Sequence, residues 1–282
     1  MNYLFCNPSA QNFRADDRIA EIRAQLNGQI KEYNILDFSG FADFFAMTKS
    51  TDVIYLVGGD GTLNHFINDI PQKDDIPEIF YYPAGTGNDF SRDIHEGESS
   101  ERIRLNPYIK NLPTVTVNGV TRKFINGVGF GIDGYCCEEG DRQRELKQGG
   151  KINYTSIAIK GLLFKFKPKN AEVTVDGVSK RYKKVWLAPV MIGKYYGGGM
   201  KISPNQDRLS AEPVLTSVVL HSTGKLKTLM RFSSIFSGTH VQYKDMLDFR
   251  KGREIKVVFD SPCALQIDGE TVRNVTEFSA RI

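Results

Sequence analysis

Two glycine-rich turns carry the residue types that handle phosphate. The first, Gly58-Gly59-Asp60-Gly61-Thr62-Leu63-Asn64, follows the apolar run Val53-Ile54-Tyr55-Leu56-Val57 and leads into a helical pattern over Thr62 to Asn68. Its glycines let the backbone turn sharply and bring N–H groups close to a phosphate, and the helix that follows adds its positive end. Asp60 then has a use of its own, because a carboxylate there can hold Mg²⁺, or a water bound to it, against the charge of a triphosphate. A plain strand-to-helix turn is the simpler alternative, but three glycines around one aspartate exceed what such a turn needs. The second turn, Pro83-Ala84-Gly85-Thr86-Gly87-Asn88-Asp89-Phe90-Ser91-Arg92, follows the β-forming run Ile79-Phe80-Tyr81-Tyr82. Thr86 can hydrogen-bond a phosphate, Asn88 can cap a helix, and Asp89 and Arg92 can position charge. Two such turns after neighbouring strands make a nucleotide cleft the leading expectation.

The elements that must position these turns alternate. Tyr3 to Cys6 is expected as a strand, Asp16 to Leu26 as a helix, Val53 to Val57 as a buried strand, Thr62 to Asn68 as a helix and Ile79 to Tyr82 as a strand. That alternation predicts parallel pairing in a three-layer, Rossmann-like α/β domain whose ligands lie beyond the carboxyl ends of the strands. From Pro113 onward β-forming runs carry the turn dipeptides Asn118-Gly119, Asp176-Gly177 and Asp268-Gly269, each suited to a tight hairpin. One helical stretch, roughly Glu138 to Phe166 and split near Gly149-Gly150, interrupts an otherwise antiparallel β pattern. The expected division is an α/β nucleotide-binding domain over 1–112 and a β-rich lipid-substrate domain over 113–282.

The chain has 282 residues, 40% of them hydrophobic, which is enough for two modest cores. Its first residues lack the basic start and apolar run of a secretory signal, and no later stretch has eighteen apolar residues in a row. A cytoplasmic protein is expected on that basis. Four scattered cysteines show no Cys-x-x-Cys spacing, so neither a disulfide framework nor a zinc knuckle is supported. The net charge of +4 is too small to point to nucleic acid, although it would not hinder approach to anionic phosphates or lipids. Oligomeric state is left open, a homodimer included.

Taken together and in order, the motifs resemble the diacylglycerol kinase catalytic domain, a family that also holds sphingosine, ceramide and bacterial lipid kinases and is related to NAD kinases. The resemblance rests first on Gly-Gly-Asp-Gly-Thr and Pro-x-Gly-Thr-x-Asn-Asp-Phe. It extends through Asn7-Pro8-Ser9-Ala10, Phe124-Ile125-Asn126 with Gly129-Phe130-Gly131-Ile132-Asp133, Gly197-Gly198-Gly199-Met200 with Pro204, and Gln266-Ile267-Asp268-Gly269-Glu270. It implies an ATP-dependent lipid kinase of phospholipid metabolism, with diacylglycerol converted to phosphatidic acid as the leading reaction. It implies that ATP and Mg²⁺ are held by Asn7, Pro8, Ser9, Gly58, Gly59, Asp60, Gly61, Thr62, Asn64, Gly85, Thr86, Asn88 and Asp89. It further implies that Asp60 is a catalytic residue that serves the metal, and that Glu270 is the catalytic base that removes the acceptor's proton. Without the family context Glu270 is simply a solvated residue after a hairpin turn. The cleft between the two domains is expected to hold the reaction.

Departures from the family pattern matter too. An Asp-Gly pair that the family often carries after the proline is replaced here by Asn205-Gln206-Asp207-Arg208-Leu209, and Thr114 to Val117 offers no carboxylate. A structural Mg²⁺ site is therefore expected to be lost, or held differently by Asp207 or Glu212. His65 stands where the family commonly has glutamate. Gly129 to Gly134 fits Gly-x-Gly-x-x-Gly, but no acidic residue ends a second strand about twenty positions on, and no P-loop occurs. The four histidines show no metal-ligand spacing. The basic and apolar mixture from Arg142 to Lys169 suggests a peripheral anionic membrane surface as a partner, with a core-facing helix as the alternative. Two rivals to a lipid kinase remain: an NAD kinase-like enzyme, and an inactive nucleotide-binding regulator.

Overall fold

The computed structural model describes residues 1–7, 13–26, 29–71, 75–96, 102–147 and 154–282. The chain resolves into two compact units, Met1–Leu112 and Pro113–Ile282. The first runs β1 (Asn2–Cys6), α1 (Phe13–Gln25), β2 (Lys31–Asn34), α2 (Phe41–Met47), β3 (Val53–Gly58), α3 (Asp60–Asp69), β4 (Glu78–Pro83), α4 (Asp89–Ile94), β5 (Ile103–Arg104) and α5 (Asn106–Ile109).

Its strands lie in the order β2-β1-β3-β4-β5, with β1, β2, β3 and β4 parallel and β5 antiparallel to β4. A parallel strand is covered on both faces, and β3 is accordingly an unbroken apolar run with Ile54, Leu56 and Val57 fully buried. The chain steps outward from β1 to β2 and then returns past β1 to β3. The switch in direction falls between the carboxyl ends of β1 and β3, the place where open α/β sheets bind ligands. Asn7 directly follows the first of those strands, and Gly58 ends the second. Around Phe5, α2 contributes Phe41 and Phe44, spaced for one helical face, with ring centroids 5.3 and 5.1 Å away. The expected helix over Thr62 to Asn68 in fact starts at Asp60, because the N-cap position falls on Gly59.

The second unit continues with β6 (Thr114–Val117), β7 (Val120–Lys123), β8 (Gly127–Phe130), α6 (Ile132–Lys147), α7 (Tyr154–Lys160), a π-helical turn (Gly161–Lys165), β9 (Lys169–Val175), β10 (Val178–Val185) and β11 (Val190–Met191). Then come β12 (Leu215–Leu220), α8 (Lys225–Phe232), α9 (Ser234–Ser237), a 3₁₀ turn (Thr239–Gln242), β13 (Leu247–Gly252), β14 (Glu254–Ile267) and β15 (Glu270–Arg281). All its pairings are antiparallel, in the order β13-β12-β11-β8-β14-β15-β6-β7, with β9 joining β14 to β10. The three expected hairpins are present. Asn118-Gly119, Asp176-Gly177 and Asp268-Gly269 all have positive φ at both positions, as a tight two-residue turn requires. Helix α6 begins at Ile132, earlier than expected, and the Gly149-Gly150 break lies outside the described residues. Helices α8 and α9 escaped the sequence reading.

Successive residues send their side chains to opposite faces, so the sheet has two cores. Val190 and Val219 belong to one built around Phe130, Phe259 and Phe278, whereas Met191 and Val218 belong to the other, around Trp186. The four cysteines are free thiols, and burial pushes Cys137 and Cys263 up to about 12.

The turn from β14 to β15 is anchored from beneath by buried Asp268, whose carboxylate accepts the N–H groups of Ile125, Asn126 and Gly127 at 2.7, 2.8 and 3.0 Å. Truncating it strands three buried amides at once. Asp268→Ala is therefore expected to cost roughly 3–5 kcal/mol and lower the melting temperature by about 10 °C. Thermal denaturation followed by circular dichroism checks this; an unchanged transition would show that the anchor is dispensable.

Candidate functional site

In the first unit the two glycine turns touch backbone to backbone. A Cβ on Gly85 would sit 2.6 Å from the Cα of Gly59, and one on Gly59 would sit 3.0 Å from the Cα of Gly85, so neither position admits a side chain. Ala84 N–H donates to Gly58 O at 2.8 Å, and the buried Tyr81 hydroxyl donates to the same carbonyl at 2.9 Å.

Asp60 lies across this contact. Its Oδ2 accepts from Asp89 N–H at 3.2 Å and its Oδ1 from Phe90 N–H at 3.3 Å, so it caps the first turn of α4 from the neighbouring loop. The Asn88 side chain, expected as a cap, makes no capping bond to α4. In a left-handed conformation (φ 50°) it folds back instead, accepting from Gly85 N–H and donating to Gly85 O, both at 2.9 Å. Arg92 Nε donates to Gly87 O at 2.9 Å. The second loop is thus held rigid by its own polar side chains, while exposed Thr86 stands at its tip.

Helix α3 differs from α4 in having no side-chain cap, since its N-cap is Gly59. Its first turn and the positive end of its dipole therefore lie at the sheet's switch point behind a residue that has no side chain to cap them, which is an arrangement that binds phosphate. Asn7 Nδ2 donates to Thr62 Oγ1 at 3.1 Å and ties the end of β1 to α3. Thr62 and Asn64 are both buried; the second accepts from Asn68 Nδ2 at 3.3 Å and packs the helix. The first unit therefore brings Asn7, Gly58, Gly59, Asp60, Gly61, Thr62, Gly85, Thr86, Asn88 and Asp89 to one edge of its sheet, while Pro8 and Ser9 lie outside the described residues.

In the second unit Glu270 is the first residue of β15, exposed, with Oε2 3.3 Å from Arg122 Nη1. Gln266 Oε1 accepts from Gly269 N–H at 2.7 Å and, with Asp268, fixes the turn before it. Glu270 lines an open depression of about 730 Å³ shared with Arg122, Asp141, Arg144, Thr271 and Arg273. Charged side chains predominate among its lining residues, with Val272 beside them, and they suit a polar head group. Arg122 and the Thr271–Asp141 hydrogen bond (2.7 Å) are neighbours of Glu270 that sequence reasoning missed, because partners so far apart in the chain leave no local pattern.

Asp207 and Glu212 gather no metal site. Asp207 Oδ1 accepts from Leu209 N–H at 3.0 Å, Glu212 is exposed, and among the described residues no three His, Cys, Asp or Glu side chains cluster as ligands. The intervening Arg208 reaches the other way and donates to Ile125 O at 2.8 Å. Within the basic stretch, Arg142 and Arg144 are paired with Glu139 and Asp141, and Lys151 lies outside the described residues. Strand β8 pairs antiparallel on both sides, which accords with setting aside the dinucleotide motif at Gly129.

A Cβ at Gly129 would fall 1.8 Å from Asp133 Oδ2. This fully buried carboxyl accepts from Gly134 N–H at 3.0 Å through Oδ1, while Oδ2 has no hydrogen bond of regular geometry. Burial pushes its pKa up to about 6 from the usual 3.8. A carboxyl raised on folding adds stability that is complete below about pH 4 and is lost as the pH rises through about 6. Asp133→Asn should therefore match the wild type most poorly near pH 4 and gain on it by up to about 3 kcal/mol toward pH 8. Urea denaturation across that range measures the difference, and parallel stability curves would contradict it.

The comparisons agree with this geometry. Residues 2–120 match the model of the diacylglycerol kinase catalytic domain, and residues 126–279 that of the YegS C-terminal NAD kinase beta sandwich-like domain. A diacylglycerol kinase of Mycobacterium tuberculosis is 26% identical over 208 residues, which cover 71% of this chain and 65% of that protein. The chain therefore spans a little under two thirds of that relative's length. A diacylglycerol kinase of Bacillus subtilis is 27% identical over 240 residues, covering 80% and 73%. Among solved structures, a diacylglycerol kinase from Bacillus anthracis str. Sterne shares the fold with a TM-score of 0.63 at 18% identity, covering 99% of this chain and 93% of that one. Yeast NADH kinase complexed with NADH shares it at 0.52 and 10% identity, covering 100% and 78%. The chain belongs to the diacylglycerol kinase catalytic domain family, with a YegS-type NAD kinase beta sandwich-like domain as its second part.

Proposed function

We propose that this chain transfers the γ-phosphoryl group of ATP to a lipid hydroxyl, diacylglycerol being the foremost acceptor and phosphatidic acid the product. The observation that carries the reading is the contrast between the two helices beside the glycine turns. Asp60 satisfies α4, and α3 is left with no side-chain cap at the switch point of a parallel sheet. Phosphate oxygens complete that set of amides.

In this reading the backbone of residues 59–62 and the Gly85 loop cradle the polyphosphate, and Thr86 donates its hydroxyl. Mg²⁺ typically takes one or two protein carboxylates and fills its remaining positions with phosphates and water. Asp60 fits that role by chemistry and place, a carboxylate set between the two glycine turns. The ion would neutralise charge developing on the transferred group. Glu270 accepts the acceptor's proton as the new O–P bond forms and the bond to the departing ADP breaks. Arg122 holds that carboxylate in one orientation, and the polar depression around it receives the alcohol end of the lipid. Positioning and charge stabilisation supply most of the rate.

The test is transfer of labelled γ-phosphate to diacylglycerol, monoacylglycerol, sphingosine and phosphatidylglycerol in mixed micelles, with NAD as a control acceptor. Label should enter a lipid and not NAD. Glu270→Gln should lower kcat by about 10²–10⁴-fold with Mg-ATP affinity unchanged. Label in NAD alone would overturn the acceptor class, and near-normal turnover of the variant would remove Glu270 from its role.

A further inference from the structure

Helix α8 turns two of its four large apolar side chains outward. Thr228 is 1% exposed, while Leu226 and Met230, one helical turn apart on the same face, are 68% and 66% exposed. An eight-residue helix in a globular domain ordinarily turns such residues inward. Here the inward face is filled by Thr228, whose hydroxyl donates to Gly224 O at 3.0 Å, and in part by Leu229 and Phe232.

A third exposed apolar side chain joins this face from elsewhere in the chain. Phe164, in the π-helical turn, is 75% exposed, and Lys225 Nζ donates to Leu163 O at 2.9 Å, which brings that turn against the start of α8. Phe236, in α9, is 40% exposed and packs its ring 6.0 Å from that of the half-buried Phe232. Exposed Lys160, Lys165 and Lys167 flank the π turn, and none of them enters an ion pair among the described residues. Contiguous apolar side chains rimmed by basic ones mark an interaction surface.

We infer that the π turn and α8 form a docking face for the surface of an anionic lipid bilayer, with Phe164, Leu226 and Met230 entering the acyl boundary and the lysines meeting the head groups. Long lysine stems lie along apolar surface while their ammonium groups stay at the polar layer. A second copy of the chain is a poorer occupant, because a two-fold contact through this patch would set like-charged lysines against one another. No helix among the described residues is long and apolar enough to cross a membrane, so contact through this face would be peripheral. Docking of this kind would serve the lipid acceptor proposed above, yet it is read without turnover, so failure to bind and failure to phosphorylate are separate results.

The experiment is co-sedimentation of the full chain with sucrose-loaded vesicles of phosphatidylcholine alone and of phosphatidylcholine mixed with phosphatidylglycerol. The wild type should bind the mixed vesicles more tightly, and added salt should weaken that binding. The double variant Phe164→Glu/Leu226→Glu should lose at least about tenfold in binding, and Lys160→Gln/Lys165→Gln/Lys167→Gln should lose the preference for anionic vesicles. Val178→Glu, at an apolar residue 66% exposed on the hairpin from β9 to β10, should bind as the wild type does. Circular dichroism establishes that each variant is folded. Wild-type protein that pellets with neither vesicle, or a Phe164→Glu/Leu226→Glu variant that binds normally, would overturn the inference. So would a variant whose only change, in sedimentation velocity, is conversion of a dimer to a monomer.

Discussion

The first unit depends on the Asp60 carboxylate accepting two backbone amides of the neighbouring loop. Each bond is modest, at 3.2 and 3.3 Å, but together they fix the distance between two glycine turns whose backbones are already in contact. A charged acceptor on amide donors is stronger than a neutral one, and it satisfies a helix that has no cap of its own. The cost of holding glycines in place is borne once, on folding, so that on the proposed reading a polyphosphate meets amides that are already aimed. A loop that closed only around the ligand would spend binding energy on ordering itself.

The second unit uses the same device for a different residue. Asp268 gathers three amides from the strand connection at Ile125 to Gly127, and Gln266 takes the Gly269 amide, so the turn that delivers Glu270 has little freedom. Glu270 itself remains exposed beside Arg122. On the proposed reading, a buried acid that fixes a turn and an exposed one two residues later that meets the acceptor divide positioning from chemistry. Phosphoryl transfer asks the protein for little covalent work, so this division suits it.

Much of this was legible in the sequence where a local rule has one solution. Asn118-Gly119, Asp176-Gly177 and Asp268-Gly269 announce hairpins because few residues tolerate positive φ at two successive positions. The apolar run from Val53 announces a strand covered on both faces. What could not be read was any partnership set by tertiary contact. Asp60 presents itself in the sequence as a metal ligand, but its bonds to Asp89 and Phe90 depend on how two loops pack. Asn88 stands at a capping position and yet bonds to Gly85. Arg122 meets Glu270 across 148 positions of chain. Helix α8 has an ordinary amphipathic period, and only the packed structure reveals that Leu226 and Met230 are turned outward while Leu229 and Phe232 pack against the core.

The central claim is that the uncapped start of α3 and the loop tied to it by Asp60 form a preassembled phosphate cradle. Amide hydrogen exchange of the full chain, with and without saturating Mg²⁺ and a non-hydrolysable ATP analogue, tests it most directly. The account predicts that protection on binding is centred on residues 59–63 and 85–90. Saturable binding that leaves those amides exchanging as before, with protection centred elsewhere in the chain, would contradict it.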